Sequence, residues 1–290
     1  MSAKLKLKKD GLNPELVQAL VELALSEDLA DGPDITTLAT IDENSISTLN
    51  LVARKPGVIS GVHVAQLVFE LLSDEFVTKV LVEDGQKVAA GATIISIKGP
   101  TQVLLTAERT ALNFLTHMSG IATTTSNWVA EVSHTKARIR DTRKTIPGLR
   151  HLEKYAVTCG GGVNHRFSLN DAALIKDNHI LVSGGVAAAF NKVKNKIKDQ
   201  VIEVEVDSLA QIPDAVSAGV DFILLDNFSI TDMKKAVDTY GTKVKFEASG
   251  GLTLESARTV AETGVDYLAV GALTHSAPSL DIGADLVVEE

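Results

Sequence analysis

The chain reads as an α/β protein of two unequal parts, and three observations carry that reading. From Ala137 onward six short apolar runs, ARIRDT, AALIK, VIEVEV, DFILLD, VKFEAS and DYLAVG, alternate with helical patterns such as SLAQIPDAVSAG and LTLESARTVAETG. That is the rhythm of βα units. The runs are largely apolar and end at polar residues or Gly. Such strands suit a closed parallel barrel with its site at the carboxyl ends; an open doubly wound sheet is the second reading. The first half of the chain lacks this rhythm, and 290 residues accommodate one barrel-sized domain and a smaller one.

Taken in order, Leu16, Val17, Leu20, Leu23 and Ala24 recur at helical spacing, with Asn13 placed to cap and Pro14 at the first helical position. Strand-like TLNLVA, TKVLV and TIISIKG follow, with the apolar helix pattern HVAQLVFELL after the first of them. The stretch KVLVEDGQKVAAGATIISIKG turns at Gly85 and Gly91 like half of a lipoyl or biotinyl carrier barrel. It lacks the exposed lysine motif at a hairpin tip that such a carrier needs, so it reads as plain β-structure. A long helical region spans Thr106 to Val132, where Gly120 marks a break or a close packing contact.

Composition bounds function. With 45% hydrophobic and 22% charged residues the chain is ordinary globular material. A net charge of −9 argues against nucleic acid or an anionic membrane as main partner. The single cysteine, Cys159, excludes an internal disulfide. No apolar run reaches membrane-spanning length and the basic N-terminus precedes no signal-like apolar segment, so a cytoplasmic protein is expected.

The charge is unevenly placed. From Arg138 to Lys176 eight Lys or Arg face three Asp or Glu, leaving the rest of the chain at −14. Gly, Pro and apolar residues interrupt this island, unlike a solvated tail, and it reads as an anion site. Thr142, Arg143 and Lys144 follow the first barrel strand in a loop closed by Pro147 and Gly148, where Arg offers a planar fork and Lys a point charge. Gly160 to Gly162 precede His165, Arg166, Lys176 and His179, a pattern in which backbone amides approach an anion and basic side chains neutralise it. His165 reads equally well as a hydrogen-bonded loop residue.

Glu203, Glu205 and Asp207 alternate with valines and share one face. Three bare charges cannot sit in a dry core, so they pair with the basic island, a metal or solvent. Glu205 lies towards the carboxyl end, and Asp226 ends the next strand. Two such carboxylates can hold a divalent ion through water, accept ribose hydroxyls or stabilise a cationic sugar. Ser249, Gly250 and Gly251, then Val270, Gly271 and Ala272, end the last two strands, where backbone amides suit a phosphate.

With these residues in view, the chain resembles the quinolinate phosphoribosyltransferase family along almost its whole length. The resemblance rests on ARKPGVISG, AERTALNFLTHMSGIAT, DTRKTIPGLRHLEKYAV, CGGGVNHRFSLNDAALIKDNHI, IEVEVDS, LLDNFS, EASGGL and VGALTHS, with weaker EDLADG and PDITT upstream. It implies an α/β sandwich over residues 1–116, joined by about 275–290, and an incomplete α/β barrel over 117–274. It implies phosphoribosyl transfer from phosphoribosyl pyrophosphate to quinolinate with decarboxylation, in NAD biosynthesis. Arg143, Lys144, His165, Arg166 and Lys176, with Thr142, would surround the quinolinate carboxylates and pyrophosphate. Glu205 and Asp226 would face the ribose and Mg²⁺, directly or through water, and Ser249 to Gly251 and Val270 to Ala272 the 5′-phosphate. Lys144, Lys176, Glu205 and Asp226 form the implied catalytic set. A homodimer is implied, with Arg109 reaching the partner's site and higher oligomers left open. Alternatives are a molybdate-associated paralogue, an enzyme using nicotinate, and an anion-binding protein without catalysis.

Overall fold

The computed structural model describes residues 2–30, 32–197 and 200–288, so Asp31 of EDLADG lies outside the described residues. Two compact units emerge: Met1–Thr124 with Ile146–Gly161 and Ala277–Glu290, and Thr125–Thr145 with Gly162–Ser276. The division falls within the long helix eight residues beyond the expected position, and the segment after the DTRK loop groups with the first unit.

In that first unit the short helix α1 (Ala3–Lys9) precedes α2 (Pro14–Leu29). Asn13 caps α2 by accepting the amides of Glu15 and Leu16, as its residue type requires. Next come α3 (Ile35–Thr40), β1 (Ile46–Ala53), β2 (Gly57–Val58) and α4 (Val62–Leu72). They are followed by β3 (Val77–Val80), β4 (Lys87–Val88), β5 (Thr93–Pro100) and α5 (Thr101–Val132). Helix α6 (Arg150–Cys159) and the last strand β12 (Ile282–Val288) complete the unit. The antiparallel sheet has the order β12-β1-β5-β3, and β2 pairs with β4. Leu49, Leu51, Ile95 and Ile97 are fully buried in its two central strands. Gly85 and Gly91 take left-handed turn conformations at φ 84° and 87°, so the carrier-like stretch is ordinary β-structure. Helix α5 begins five residues earlier than the pattern suggested and runs unbroken through Gly120. A Cβ there would lie 2.2 Å from the Pro278 carbonyl, so this glycine serves close packing.

The second unit holds β6 (Arg138–Arg140), β7 (Ala173–Ile175), α7 (Asp177–Ser183), α8 (Val186–Lys194), β8 (Ile202–Val206) and α9 (Ile212–Ala218). It continues through β9 (Phe222–Asp226), α10 (Ile230–Tyr240), β10 (Lys245–Ser249), α11 (Leu254–Ala261), β11 (Tyr267–Ala269) and α12 (Ala272–His275). All six expected strands form, in one parallel sheet ordered β6-β11-β10-β9-β8-β7. Strands consecutive in sequence are neighbours from β7 to β11, and β6 adds beside β11. A doubly wound sheet instead reverses its order at a switch point. This is a parallel barrel lacking the pairing between its first and second strands. A parallel bridge, Arg140 to Val163, extends the sheet beyond β6.

Candidate active site

The carboxyl ends of these strands surround a cavity of about 740 Å³ within the second unit. Parallel packing aims every strand end and every following helix start at one mouth, which concentrates loops and backbone amides there.

One wall is cationic. Arg143 and Lys144 come from the loop after β6, Arg166 from the segment before β7, and Lys176 from the end of β7. The loop is held from both sides: Thr142 Oγ1 accepts the Lys144 amide at 3.0 Å, and Thr274 Oγ1 donates to the Lys144 carbonyl at 2.8 Å. Arg166 Nη1 donates to the Ala172 carbonyl at 2.9 Å. Burial, and next the positive charge of Arg143, hold the Arg166 pKa below its ordinary value. Two guanidinium groups close enough to repel make a site that gains from an anion.

The other wall carries carboxylates and glycine turns. Glu205 Oε2 pairs with Lys176 Nζ at 2.5 Å, so the walls meet at this ion pair. Asp226, at the end of β9, accepts the side-chain amide of Asn227 at 2.9 Å. Ser249, Gly250 and Gly251 follow β10, and Val270, Gly271 and Ala272 follow β11. Gly250 has φ 92°, and a Cβ on it would meet Asn227 Oδ1 at 2.1 Å. Gly271 leaves room for the Lys144 stem, whose Cδ would lie 3.0 Å from an added Cβ. Glycine is required at Gly250 by both conformation and space.

Beneath the cavity lies a buried polar cluster. His165 Nε2 is 2.8 Å from Glu203 Oε2 and 3.5 Å from Glu247 Oε1, while Arg140 Nη1 is 2.5 Å from Glu247 Oε2. Burial pushes Glu203 up to about 7 against the opposing charges of Arg140 and Arg166. Burial, then the charge of Glu203, pushes Glu247 up to about 7, with Arg140 opposing. One donor atom from each of His165, Glu203 and Glu247 falls within 4.8 Å of the others, the grouping of a metal site. The tautomer argues against one. The Arg166 amide donates to His165 Nδ1 at 2.7 Å, which leaves the neutral ring's proton on Nε2, where a metal would need a lone pair.

The three alternating carboxylates thus meet different ends: Glu203 with buried His165, Glu205 with Lys176, and Asp207 exposed beyond the strand. Every residue that the family resemblance assigned to the site lines this cavity except Arg109, which is exposed on α5 in the other unit. The basic island is less uniform than its charge count implied. Arg138, Arg150 and Lys154 do not line the cavity, and Arg140 stacks over Tyr267 at 4.7 Å while pairing with Glu247. The glycine triplet does not line it either. Gly160 ends α6 and Gly161 takes φ 88°, a helix-stop role. His179 Nδ1 accepts the Lys176 amide within the first turn of α7. Glu247 and Asn227 also line the cavity but were not singled out from sequence. Parity could have found Glu247, two residues before Ser249 on the same face of β10.

A parallel barrel that presents cations, carboxylates and glycine turns to one cavity defines an α/β-barrel enzyme for substrates bearing several anionic groups. Residues 121–285 match the family model described as quinolinate phosphoribosyl transferase, C-terminal domain, and residues 34–119 the N-terminal domain. The chain belongs to the quinolinate phosphoribosyltransferase family. It is 51% identical over 271 residues to the nicotinate-nucleotide pyrophosphorylase [carboxylating] of Mycobacterium leprae, covering 92% of this chain and 95% of that one. It is 40% identical to the probable enzyme of that name from Bacillus subtilis, covering 90% of each chain. The solved nicotinate-nucleotide pyrophosphorylase from Francisella tularensis superposes with a TM-score of 0.90 at 41% identity, covering 94% of this chain and 96% of that one. Among the described residues no helix is long and apolar enough to cross a membrane.

Proposed function

We infer that this cavity transfers the phosphoribosyl group of phosphoribosyl pyrophosphate to quinolinate and decarboxylates the product, giving nicotinate mononucleotide, pyrophosphate and CO₂. The observation that carries the reading is the meeting of four cationic side chains with the carboxylates of Glu205, Asp226 and Glu247 and two glycine turns in one space of about 740 Å³. Quinolinate brings two carboxylates and its co-substrate several more negative charges, and only a concentrated cationic wall offsets their repulsion.

Arg143 and Arg166 suit the planar carboxylates, and Lys144 and Lys176 the pyrophosphate and the 2-carboxylate. As pyrophosphate leaves, positive charge grows on the ribose, and the carboxylates of Glu205 and Asp226, which line the cavity, offset it in this reading. The pyridine nitrogen attacks the anomeric carbon with alignment as its main aid. Once quaternised, the positive nitrogen stabilises the electron pair that stays on the adjacent ring carbon as its carboxylate departs as CO₂, and a proton from solvent then fills that position. Ser249 to Gly251 and Val270 to Ala272 receive the 5′-phosphate on backbone amides.

Glu205 and Asp226 supply the hard oxygen donors that fit Mg²⁺, which when bound would neutralise the pyrophosphate. His165 lines the cavity with both ring nitrogens engaged by the protein. A homodimer with Arg109 acting across to the partner's cavity completes the proposal. It is supported by the exposure of Arg109 and by apolar side chains left to water, including Ile35 and Leu38 in one unit and Leu181 and Val182 in the other.

The purified protein with quinolinate, phosphoribosyl pyrophosphate and Mg²⁺ should release nicotinate mononucleotide. Absence of quinolinate-dependent product overturns the reading. Mixing inactive Arg109→Ala with an inactive Lys176 variant should restore activity in heterodimers, and no recovery removes the shared site.

A further inference from the structure

We propose that Asp141 and Glu203, neither of which lines the cavity, are positioning residues that aim the His165–Arg166 pair at the dicarboxylate substrate. The inference rests on the quinolinate reading of the cavity and adds to it how the recognising arginine is held.

Asp141 follows β6 and is fully buried. Its Oδ1 accepts the His165 amide at 2.8 Å, and its Oδ2 accepts the Asn164 side-chain amide at 2.5 Å. Glu203, only 3% exposed on β8, accepts from His165 Nε2 at 2.8 Å. The Arg166 amide donates to His165 Nδ1 at 2.7 Å. These contacts specify one state of the ring. A backbone N–H can only donate, so Nδ1 bears a lone pair and Nε2 the proton, directed at the Glu203 carboxylate. The other tautomer sets N–H against N–H at Arg166 and lone pair against lone pair at Glu203. A doubly protonated ring meets the first of these conflicts. Glu203 therefore selects the ring state that the Arg166 amide requires, while Asp141 fixes the backbone on the other side of the same residue.

The side chain of Arg166 then leaves this segment with one guanidinium nitrogen on the Ala172 carbonyl and enters the cavity. Glu203 sits there at a cost, since its Oε1 is buried without a hydrogen-bond partner. Precise aim is a return on that cost: small displacements of a carboxylate-binding fork weaken recognition sharply.

The test begins on the unaltered enzyme without substrate. Nitrogen-15 NMR of histidine-labelled protein, with His165 assigned by comparison with His165→Asn, should show the neutral Nε2–H form. An Nδ1–H or doubly protonated ring overturns the proposal. Glu203→Gln keeps an acceptor oxygen and should retain that signature, with the KM for quinolinate within about threefold of the parent. Glu203→Leu should lose the signature and raise the quinolinate KM about 10- to 100-fold, the scale of a buried bond to a charged group. The KM for phosphoribosyl pyrophosphate should hardly move. A folded Glu203→Leu with unchanged quinolinate KM, or with both KM values rising together, overturns the assignment. If Glu203→Leu fails to fold, Asp141→Asn replaces it. This variant keeps shape but turns an amide towards Asn164, and the same split between the two KM values is expected. Should quinolinate not be the substrate, the parent enzyme shows no quinolinate turnover while the tautomer is still read, so the two failures are distinct.

Discussion

Glu153 in the first unit and Glu247 in the second are both glutamates shut away from water, yet their surroundings differ in kind. Glu153 has each oxygen matched to a donor: Oε1 to His117 Nε2 at 3.0 Å and Oε2 to the Ile146 amide at 3.1 Å. Glu247 has Oε2 on Arg140, while its Oε1 is buried with no hydrogen-bond partner, as is one oxygen of Glu203. A carboxylate that only holds a chain segment is satisfied on both sides. Of the under-satisfied ones, Glu247 lines the cavity and Glu203 stands behind His165, where incomplete pairing leaves charge and proton position open to the site's chemistry.

The largest expected effect tests the satisfied half of this contrast. Glu153→Ala leaves the His117 ring and the Ile146 amide without their acceptor and should cost about 2–4 kcal/mol of unfolding free energy. Glu153→Gln, which keeps one acceptor oxygen, should cost roughly half as much. Denaturant unfolding reads both. A loss under about 1 kcal/mol for the alanine variant would mean the two hydrogen bonds do not hold that segment.

The next effect lies at the cavity wall. Arg166→Ala removes a carboxylate fork and should weaken quinolinate binding about 10- to 100-fold by titration calorimetry. It also removes repulsion with Arg143, so unfolding stability should change by less than about 1 kcal/mol. A stability loss as large as that of Glu153→Ala would make Arg166 a structural residue instead.

The same contrast explains what the sequence could and could not reveal. The six barrel strands were legible because buried parallel strands are apolar runs with polar ends, and Asn13 and Pro14 announced their helix by residue type. Lys176, Glu205, Asp226 and the two glycine turns were legible because each sits at a strand end, where parallel topology alone fixes direction. Arg140 and Glu247 were not, because their meaning comes from a contact between strands over 100 residues apart in sequence. The glycine triplet misled for a related reason: a glycine run that ends a helix and one that cradles an anion share the same local pattern. His165 stayed open between ligand and loop residue until Glu203 and the Arg166 amide were seen on opposite nitrogens of its ring.

The smallest effect isolates the proton held under the cavity. Glu247 is raised from its ordinary 4.5 to about 7 by burial and by the charge of Glu203. A carboxylate with a folded pKa above its unfolded one stabilises fully below the unfolded value, and that contribution is lost as pH rises through the folded value. The enzyme should therefore lose stability between about pH 4.5 and 7, the two values that bound this shift. Glu247→Gln cannot ionise, so its stability should fall less over that window, the difference amounting to about 1–2 kcal/mol once solvent relaxation is allowed for. Glu153→Ala should instead lower stability by a similar amount at both ends of the window, because what it removes is a pair of hydrogen bonds. Unfolding curves at pH 5 and pH 8 for the three proteins separate these outcomes. If the Glu247→Gln curve tracks the parent at both pH values, Glu247 is ionised throughout and Arg140 satisfies it as completely as His117 and Ile146 satisfy Glu153.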